Sequence, residues 1–181
     1  MKVYEILKGS KSLDGLRRGE RPDPQPGARE VLIRIRATSL NYRDQQIIAG
    51  TYFGGAVSRD IIPLSDGAGE VVAVGPGVTR FKTGDRVAGT FFQTWISGVP
   101  ASWPASLGVP LDGMLAEYVV LHEDGVVNIP ESLSYEEAAT LPCAGVTAWN
   151  GLMVSGRRVK PGDTVLCLGT GGVSMFAVQF A

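Results

Sequence analysis

Hydrophobic and polar positions alternate most regularly over residues 30–37. The apolar residues of this stretch share one face and the arginines the other: Val31, Ile33, Ile35 and Ala37 against Arg34 and Arg36. A period of two is typical of a half-buried antiparallel strand. Weaker alternation and short apolar runs predict further strands over residues 2–7, 70–75, 86–89, 113–121 and 125–129. Glycine-rich turns separate these strands at short intervals, which favours a small barrel or sandwich.

The segments between these strands are interpreted from their polarity and spacing. The polar residues after position 7 predict a loop, and residues 63–69 predict a turn leading into the next strand. Helical spacing of apolar residues predicts a helix over residues 39–50. The stretch from 90 to 112 is irregular but contains four aromatic residues, which argue against disorder: Phe91, Phe92, Trp95 and Trp103.

The composition changes at Pro130, after which helical signals dominate. Ser134 and Glu137 have the spacing of a capping box, which predicts a helix beginning at Tyr135. Pro142 is expected to break or kink that helix, and a second helix follows it. These features predict two units, residues 1–129 and residues 130–181.

The last eighteen residues carry the most specific local pattern of the chain. An apolar run, Val165–Leu168, has the length and composition of a buried strand, and an apolar helix is predicted from Met175. A glycine loop lies between them, with the residues Gly169, Thr170, Gly171, Gly172, Val173 and Ser174. Strand, glycine turn and helix is the context of a dinucleotide-binding loop, although Ser174 stands where the third glycine is expected. The alternative is a plain turn in a parallel sheet.

Only seven residues follow Ser174. The residue that holds the ribose of a bound dinucleotide lies about 20 residues beyond the glycines, so the adenosine half of such a site is absent. A single strand with part of a helix cannot stabilise itself. We therefore expect the 181-residue sequence to be a fragment, or to depend on another chain.

Charge and cysteine content narrow the choice of partners and compartment. The chain has 17 basic and 18 acidic residues, which gives no electrostatic reason to expect nucleic acid or an anionic membrane surface. Its first residues include no long apolar segment, so no secretory signal is expected. The two cysteines, Cys143 and Cys167, do not make a disulfide framework. A cytoplasmic protein is predicted.

Five motifs occur in a recognisable order: DGAGEVVAVG at 66–75, FKTGDRV at 81–87, EAATLPCA at 137–144, KPGDTV at 160–165 and GTGGV at 169–173. Together they resemble the medium-chain dehydrogenase/reductase family, which includes zinc alcohol dehydrogenases and zinc-free quinone oxidoreductases. The resemblance implies a mixed α+β chain, with a GroES-like β-barrel as its N-terminal domain followed by the first elements of an α/β Rossmann domain. Substrate and nicotinamide would share the cleft between the two domains.

The resemblance also locates the positions that hold catalytic zinc in one branch of the family. Here those positions read Asn41, Ser65 and Cys143. A catalytic zinc site needs three protein ligands, and one thiolate cannot supply them. The sole histidine, His122, lies in a predicted strand and is expected to have a surface or core role. Residues 90–112 contain no cysteine for a structural zinc, so a metal-free protein is predicted.

Without a Lewis acid, the family chemistry that the resemblance implies is hydride transfer to an acceptor already activated by conjugation. Asn41 and Tyr42 are assigned to oxygen contacts or a proton relay. Arg43 would act as an electrophile or on a phosphate, and Asp44 would pair with Arg43 or fix the segment. The alternative is that these four residues are a helix N-terminus with one surface ion pair.

Further assignments come partly from the resemblance and partly from the residues themselves. Thr147 matches a position on the nicotinamide side, or else its hydroxyl bonds to its own helix backbone. Cys143 has no adjoining basic partner and is not expected to be a nucleophile. The four aromatic residues of 90–112 form the mouth of an apolar substrate site or pack beneath the loop. NADP(H) is favoured over NAD(H) by family analogy alone.

The predicted function is that of a zinc-independent NAD(P)H-dependent oxidoreductase acting on a quinone, enone or similar activated carbonyl. One alternative is a non-catalytic GroES-like barrel that serves as an interaction module, a homodimer formed through its apolar C-terminal segment. The other is oxidation of a small alcohol of the alcohol dehydrogenase type.

Overall fold

The strands of the first 129 residues form two antiparallel sheets. The computed structural model describes residues 1–100, 102 and 104–181, and Trp103 lies outside them. Strands β1 (Lys2–Ile6) and β2 (Leu16–Glu20) form a hairpin. The larger sheet has five strands in the order β6–β3–β4–β5–β7. Their bounds are Glu30–Ser39 for β3, Asp66–Val74 for β4, Arg86–Gly89 for β5, Tyr118–His122 for β6 and Val126–Asn128 for β7.

The main core lies on one face of the five-stranded sheet. Val31 and Ile33 are buried on β3, whereas Arg34 is exposed, so the predicted alternation is confirmed. The core residues come from five strands and the loops between them: Val31, Ile33, Val71, Phe81, Val87, Leu107, Met114, Val119, Leu121 and Val126. Each buried aliphatic side chain of this size contributes about 1.5–3 kcal/mol to stability.

Three predicted boundaries were wrong. Residues 16–20 form β2 rather than a loop, because they pair with β1 across the hairpin, with Tyr4 opposite Arg18. Strand β4 begins at Asp66, and Gly69 lies so close to β3 that an added Cβ would stand 2.2 Å from the Arg34 carbonyl oxygen. That glycine allows two strands to approach rather than making a turn. Strand β6 begins only at Tyr118, since the residues before it bond to a loop: the Met114 N–H donates to the Leu64 carbonyl over 2.8 Å.

The predicted helices are present. Helix α1 spans Tyr42–Ile48 and α2 spans Tyr135–Ala139. The capping box of α2 is confirmed, because the Glu137 N–H donates to Ser134 Oγ over 3.1 Å and the Ser134 N–H donates to Glu137 Oε2 over 2.8 Å. The predicted break at Pro142 is a π-helical turn over Leu141–Gly145, which leads into α3 (Val146–Trp149) and a second π-helical turn over Asn150–Val154.

The predicted strand Val165–Leu168 is not formed. Leu166 and Leu168 are 83% and 82% exposed, so the burial expected from their apolar character is also absent. A strand needs a neighbour to satisfy its backbone, and none of the described residues pairs with this one. Helix α4 (Gly172–Phe180) does form, and its Phe180 ring lies 5.7 Å from Trp149 of α3.

Within the described part of the chain, no helix is both long and apolar enough to cross a bilayer.

Candidate active site

The segment 41–44 is organised by a helix cap. The Asn41 N–H donates to Asp44 Oδ2 over 2.7 Å, and the Asp44 N–H donates to the Asn41 carbonyl over 3.0 Å. Asp44 is 3% exposed, and burial raises the pKa of its carboxyl above the ordinary value. Asp44 therefore fixes the segment, which is one of the two interpretations given to it. Tyr42 is 74% exposed at the start of α1.

Arg43 lies inside the protein. Its Nη1 donates to the Leu107 carbonyl over 2.9 Å, its Nη2 to Ser106 Oγ over 3.2 Å and its Nε to the Tyr52 hydroxyl over 3.2 Å. The guanidinium carbon is also 4.8 Å from the ring centre of Tyr52 and 4.7 Å from that of Phe91. Each guanidinium nitrogen thus already has a protein partner, and the bonds join α1 to distant loops rather than to Asp44.

Asp66 brings β4 and the helical segment after Pro142 together. The Ser65 hydroxyl donates to Asp66 Oδ1 over 2.7 Å, and the Cys143 N–H donates to Asp66 Oδ2 over 3.1 Å. Asp66 is fully buried, and this burial raises the pKa of its carboxyl, while the Ser65 hydroxyl, the neighbouring Asn41 amide and the Cys143 N–H oppose the rise. The positions 41, 65 and 143 therefore meet around one carboxylate.

The same cluster contains two unsatisfied buried atoms. Among the described residues, Asp44 Oδ1 has no hydrogen-bond partner, and Asn41 Nδ2 has none of good geometry although the amide is close enough to Asp66 to lower its pKa. A buried donor or acceptor without a partner costs about 1–3 kcal/mol. An unsatisfied buried polar atom in a native structure needs an explanation, and a catalytic role is one of those known.

An apolar cleft of about 570 Å³ lies beside this cluster, between the ends of β5 and β7 and the helical segment from Leu141. Phe91, Phe92 and Trp95 line one side, and Cys143 and Thr147 line the other. Three of the four aromatic residues therefore line an apolar cleft, and its use as a substrate site stays a prediction. Residues 41–44 do not line the cleft.

Thr147 faces the cleft with a hydroxyl that is already engaged. Its Oγ1 donates to the Cys143 carbonyl over 2.6 Å, one helical turn back. This is the backbone bond considered as the alternative to a cofactor contact. Since the hydroxyl proton is used, only the oxygen lone pairs of Thr147 are available, and they can accept a hydrogen bond from a ligand.

The glycine loop precedes α4 as predicted. Gly169 has φ +79°, a left-handed conformation that favours glycine and makes the turn. Gly171 is the N-cap residue of α4, and a Cβ added there would meet no atom within 4 Å. Ser174 Oγ donates to the Leu168 carbonyl over 2.9 Å. The first N–H groups of α4 have no intrahelical partner, and a helix N-terminus of this kind can bind a phosphate.

Comparison with known proteins places this geometry in a family. Residues 27–131, more than half of the chain, match the alcohol dehydrogenase GroES-like domain. The chain belongs to the medium-chain dehydrogenase/reductase family. A zinc-type alcohol dehydrogenase-like protein of Schizosaccharomyces pombe is 47% identical over 99% of this chain and 52% of its own length. The predicted family and fold class are both confirmed.

Two other members extend the range of activities named among the relatives. A quinone oxidoreductase of Pseudomonas aeruginosa is 37% identical over 87% of this chain and 42% of its own length. A crystal structure from Sinorhizobium meliloti, titled as an alcohol dehydrogenase, is 40% identical and superposes with a TM-score of 0.87, covering 99% of this chain and 54% of that one. The chain thus spans about half the length of the relatives it matches.

The residues of this family member do not fit a catalytic zinc ion. Burial, and after it the charge of Asp66, raises the pKa of the Cys143 thiol to about 11. Asn41 and Ser65 offer an amide and a hydroxyl in place of the thiolate and imidazole that zinc prefers. Within the described residues no group of three or more His, Cys, Asp or Glu side chains is arranged to hold a metal. The sole histidine of the chain is engaged elsewhere, since His122 Nδ1 accepts a hydrogen bond from the Asp124 N–H over 3.2 Å.

Sequence reasoning missed four members of this site: Tyr52, Asp66, Ser106 and Leu107. Asp66 carried a signal, since it is a carboxylate next to Ser65, at one of the three positions considered for zinc. Two partners of Arg43, Ser106 and Leu107, carried none, because they lie 63 and 64 residues away along the chain.

Proposed function

We propose that this chain is part of a zinc-independent, NAD(P)H-dependent oxidoreductase that transfers a hydride to a quinone, enone or similar activated carbonyl. The observation that carries the proposal is the cluster around Asp66, where a hydroxyl, an amide and a protonated thiol occupy the family's zinc-ligand positions. Without a Lewis acid, the acceptor must already be electrophilic.

A nicotinamide cofactor would supply the hydride. The residues suited to its pyrophosphate are Gly169–Ser174, together with the first N–H groups of α4. The Thr147 oxygen would accept a hydrogen bond from the carboxamide, because its own proton is donated to Cys143. The preference for NADP(H) over NAD(H) rests on family analogy.

The cleft suits an apolar, planar acceptor. Its aromatic side, Phe91, Phe92 and Trp95, can stack on a conjugated ring. Negative charge that develops on the acceptor oxygen needs hydrogen-bond donors. Asn41 and Tyr42 stay our predicted donors or proton relay, although neither lines the cleft. The quinone oxidoreductase relative supports this acceptor class.

Alcohol oxidation is the second candidate, since several relatives are named alcohol dehydrogenases and the one that is 47% identical is named zinc-type. The full-length protein separates the two. We expect it to be purified with less than about 0.1 zinc per chain and to oxidise NADPH with menadione, as expected when the ligand set is incomplete. Stoichiometric zinc that is needed for turnover of a small alcohol would refute the proposal. A matched Ser65→Ala variant should keep menadione reduction.

A homodimer is the remaining proposal about partners. Leu166, Leu168 and Val178 are exposed apolar residues that a second copy would cover. Light scattering of the 181-residue chain with and without residues 164–181 tests this. An oligomeric state that does not change on deletion would count against the dimer and against the interaction-module alternative.

A further inference from the structure

The two segments that Arg43 reaches are themselves paired. The Leu107 N–H donates to the Phe91 carbonyl over 3.1 Å, and Phe92 and Ser106 form an isolated antiparallel bridge. Arg43 donates to Leu107 and Ser106 and at the same time stacks on Phe91. One guanidinium therefore holds both members of this pair to α1.

The pair continues into the aromatic side of the cleft. The Phe91 and Phe92 rings meet edge to face with 4.7 Å between centres, and Phe92 lies 5.4 Å from Trp95. All three residues line the cleft, whereas Arg43 contacts Phe91 from outside it. Ser106 extends the connection, since its hydroxyl donates to the Val109 carbonyl over 2.6 Å.

The chemistry of this position is specific to arginine. Three hydrogen bonds and two aromatic contacts converge on a group that is 8% exposed. A planar guanidinium can donate in its plane and stack on its faces at the same time, and a lysine ammonium cannot do both. Arg43 does not line the cleft, but Phe91 does, so Arg43 can act on a bound acceptor through Phe91.

We propose that Arg43 is a positioning residue that holds Phe91, Phe92 and Trp95 as a rigid wall and so determines which acceptors the cleft admits. The proposal rests on the proposed function only in taking the cleft as the acceptor site. It replaces the electrophilic or phosphate-binding role predicted for Arg43 by one exerted through Phe91.

The test uses the 181-residue chain with Trp149 and Trp103 replaced by phenylalanine, so that Trp95 is the only fluorescent reporter. Arg43→Lys and Arg43→Met are compared with Arg34→Lys, a control arginine that stacks on Tyr118 on the strand pair β3–β6. Near-ultraviolet circular dichroism and acrylamide quenching follow the Trp95 environment. The affinities of menadione and of the smaller 1,4-benzoquinone are measured by their quenching of the Trp95 fluorescence. The two affinities together show how large an acceptor the cleft admits.

In Arg43→Lys we expect acrylamide to quench Trp95 more readily and menadione to bind about tenfold more weakly. A tenfold loss of affinity corresponds in free energy to the loss of about one cation–π contact. Binding of 1,4-benzoquinone should change by less than about threefold, because a small ring does not need the whole wall. Arg34→Lys should match the parent. Phe91→Leu should reproduce the effect of Arg43→Lys, and these two variants decide the question if Arg43→Met does not fold.

A merely structural role would lower the melting temperature and leave the Trp95 signals of the folded Arg43→Lys chain unchanged, and that result would overturn the proposal. An equal loss of affinity for both quinones in Arg43→Lys would overturn the proposal as well. If the parent binds no menadione but Trp95 is still quenched more readily in Arg43→Lys, the cleft is not the acceptor site, and the positioning role of Arg43 stands.

Discussion

Replacing Asp66 tests whether the buried polar cluster holds the helical segment after Pro142 against β4. Asp66→Ala removes the acceptor of the Cys143 N–H at 3.1 Å and that of the Ser65 hydroxyl at 2.7 Å. The hydroxyl can rotate, but the N–H is fixed by the backbone. One buried donor without a partner costs about 1–3 kcal/mol. The alanine variant no longer has the desolvation cost of a buried carboxylate, and this offsets part of the loss. We expect the free energy of unfolding to fall by about 1–2 kcal/mol.

Asp66→Asn keeps an oxygen for the Cys143 N–H and should cost less than Asp66→Ala. Burial raises the pKa of Asp66 in the folded protein above its ordinary value of 3.8, so on acidification the folded state takes up this proton before the unfolded state. The parent should therefore gain stability relative to Asp66→Asn as the pH falls through the folded pKa towards 3.8.

Urea unfolding followed by tryptophan fluorescence, at neutral and at mildly acidic pH, measures both effects. Asp23→Ala is the control, since Asp23 is a 66% exposed partner of the N-terminal ammonium and should change stability by less than about 0.5 kcal/mol. The reasoning is refuted if Asp66→Ala is as stable as this control, or if acidification favours Asp66→Asn over the parent.

Three other predictions concern acid stability, the capping box and the glycine loop. Glu123 accepts hydrogen bonds from Arg29 and from two backbone N–H groups, which lower the pKa of its carboxyl from 4.5 to about 2. The stability that the ionised Glu123 gives the folded protein is therefore lost as the pH falls from 4.5 towards 2, and acid unfolding of Glu123→Gln should depend less on pH over that range. Ser134→Ala should lower the free energy of unfolding by about 1 kcal/mol in urea titrations, and equal stability of Ser132→Ala and Ser134→Ala would contradict the capping role. Gly169→Val should weaken NADPH binding by the full-length protein in fluorescence titrations more than Gly171→Ala, because only Gly169 has a positive φ; equal affinities would count against the loop assignment.

Reactivity of Cys143 gives an independent check on the same cluster. With a pKa of about 11, its thiol should resist iodoacetamide at about pH 8, and Asp66→Asn should speed alkylation because a neighbouring negative charge is removed. Each unit by which the pKa falls raises the thiolate fraction about tenfold. Peptide mass spectrometry separates Cys143 from Cys167, and unchanged alkylation in Asp66→Asn would show that burial alone sets the pKa.

Local features were determined by the sequence alone. The alternation over Glu30–Ala37, the capping box at Ser134 and the turn at Gly169 each depend on a few neighbouring residues and their dihedral preferences. The family resemblance also came from short motifs, and with it the mixed α+β fold. The alternation, the capping box and the glycine turn were predictable because their physical causes act over fewer than about ten residues of chain.

Pairing between distant segments was decided only by the tertiary structure. Polar residues 16–20 became a strand through the hairpin with β1, whereas apolar Val165–Leu168 did not, because no described strand lies beside it. Asp66 meets Cys143 across 77 residues, and Arg43 meets Leu107 across 64. Which donor finds which acceptor over such distances depends on the chain topology, and a single sequence carries no local signal for it.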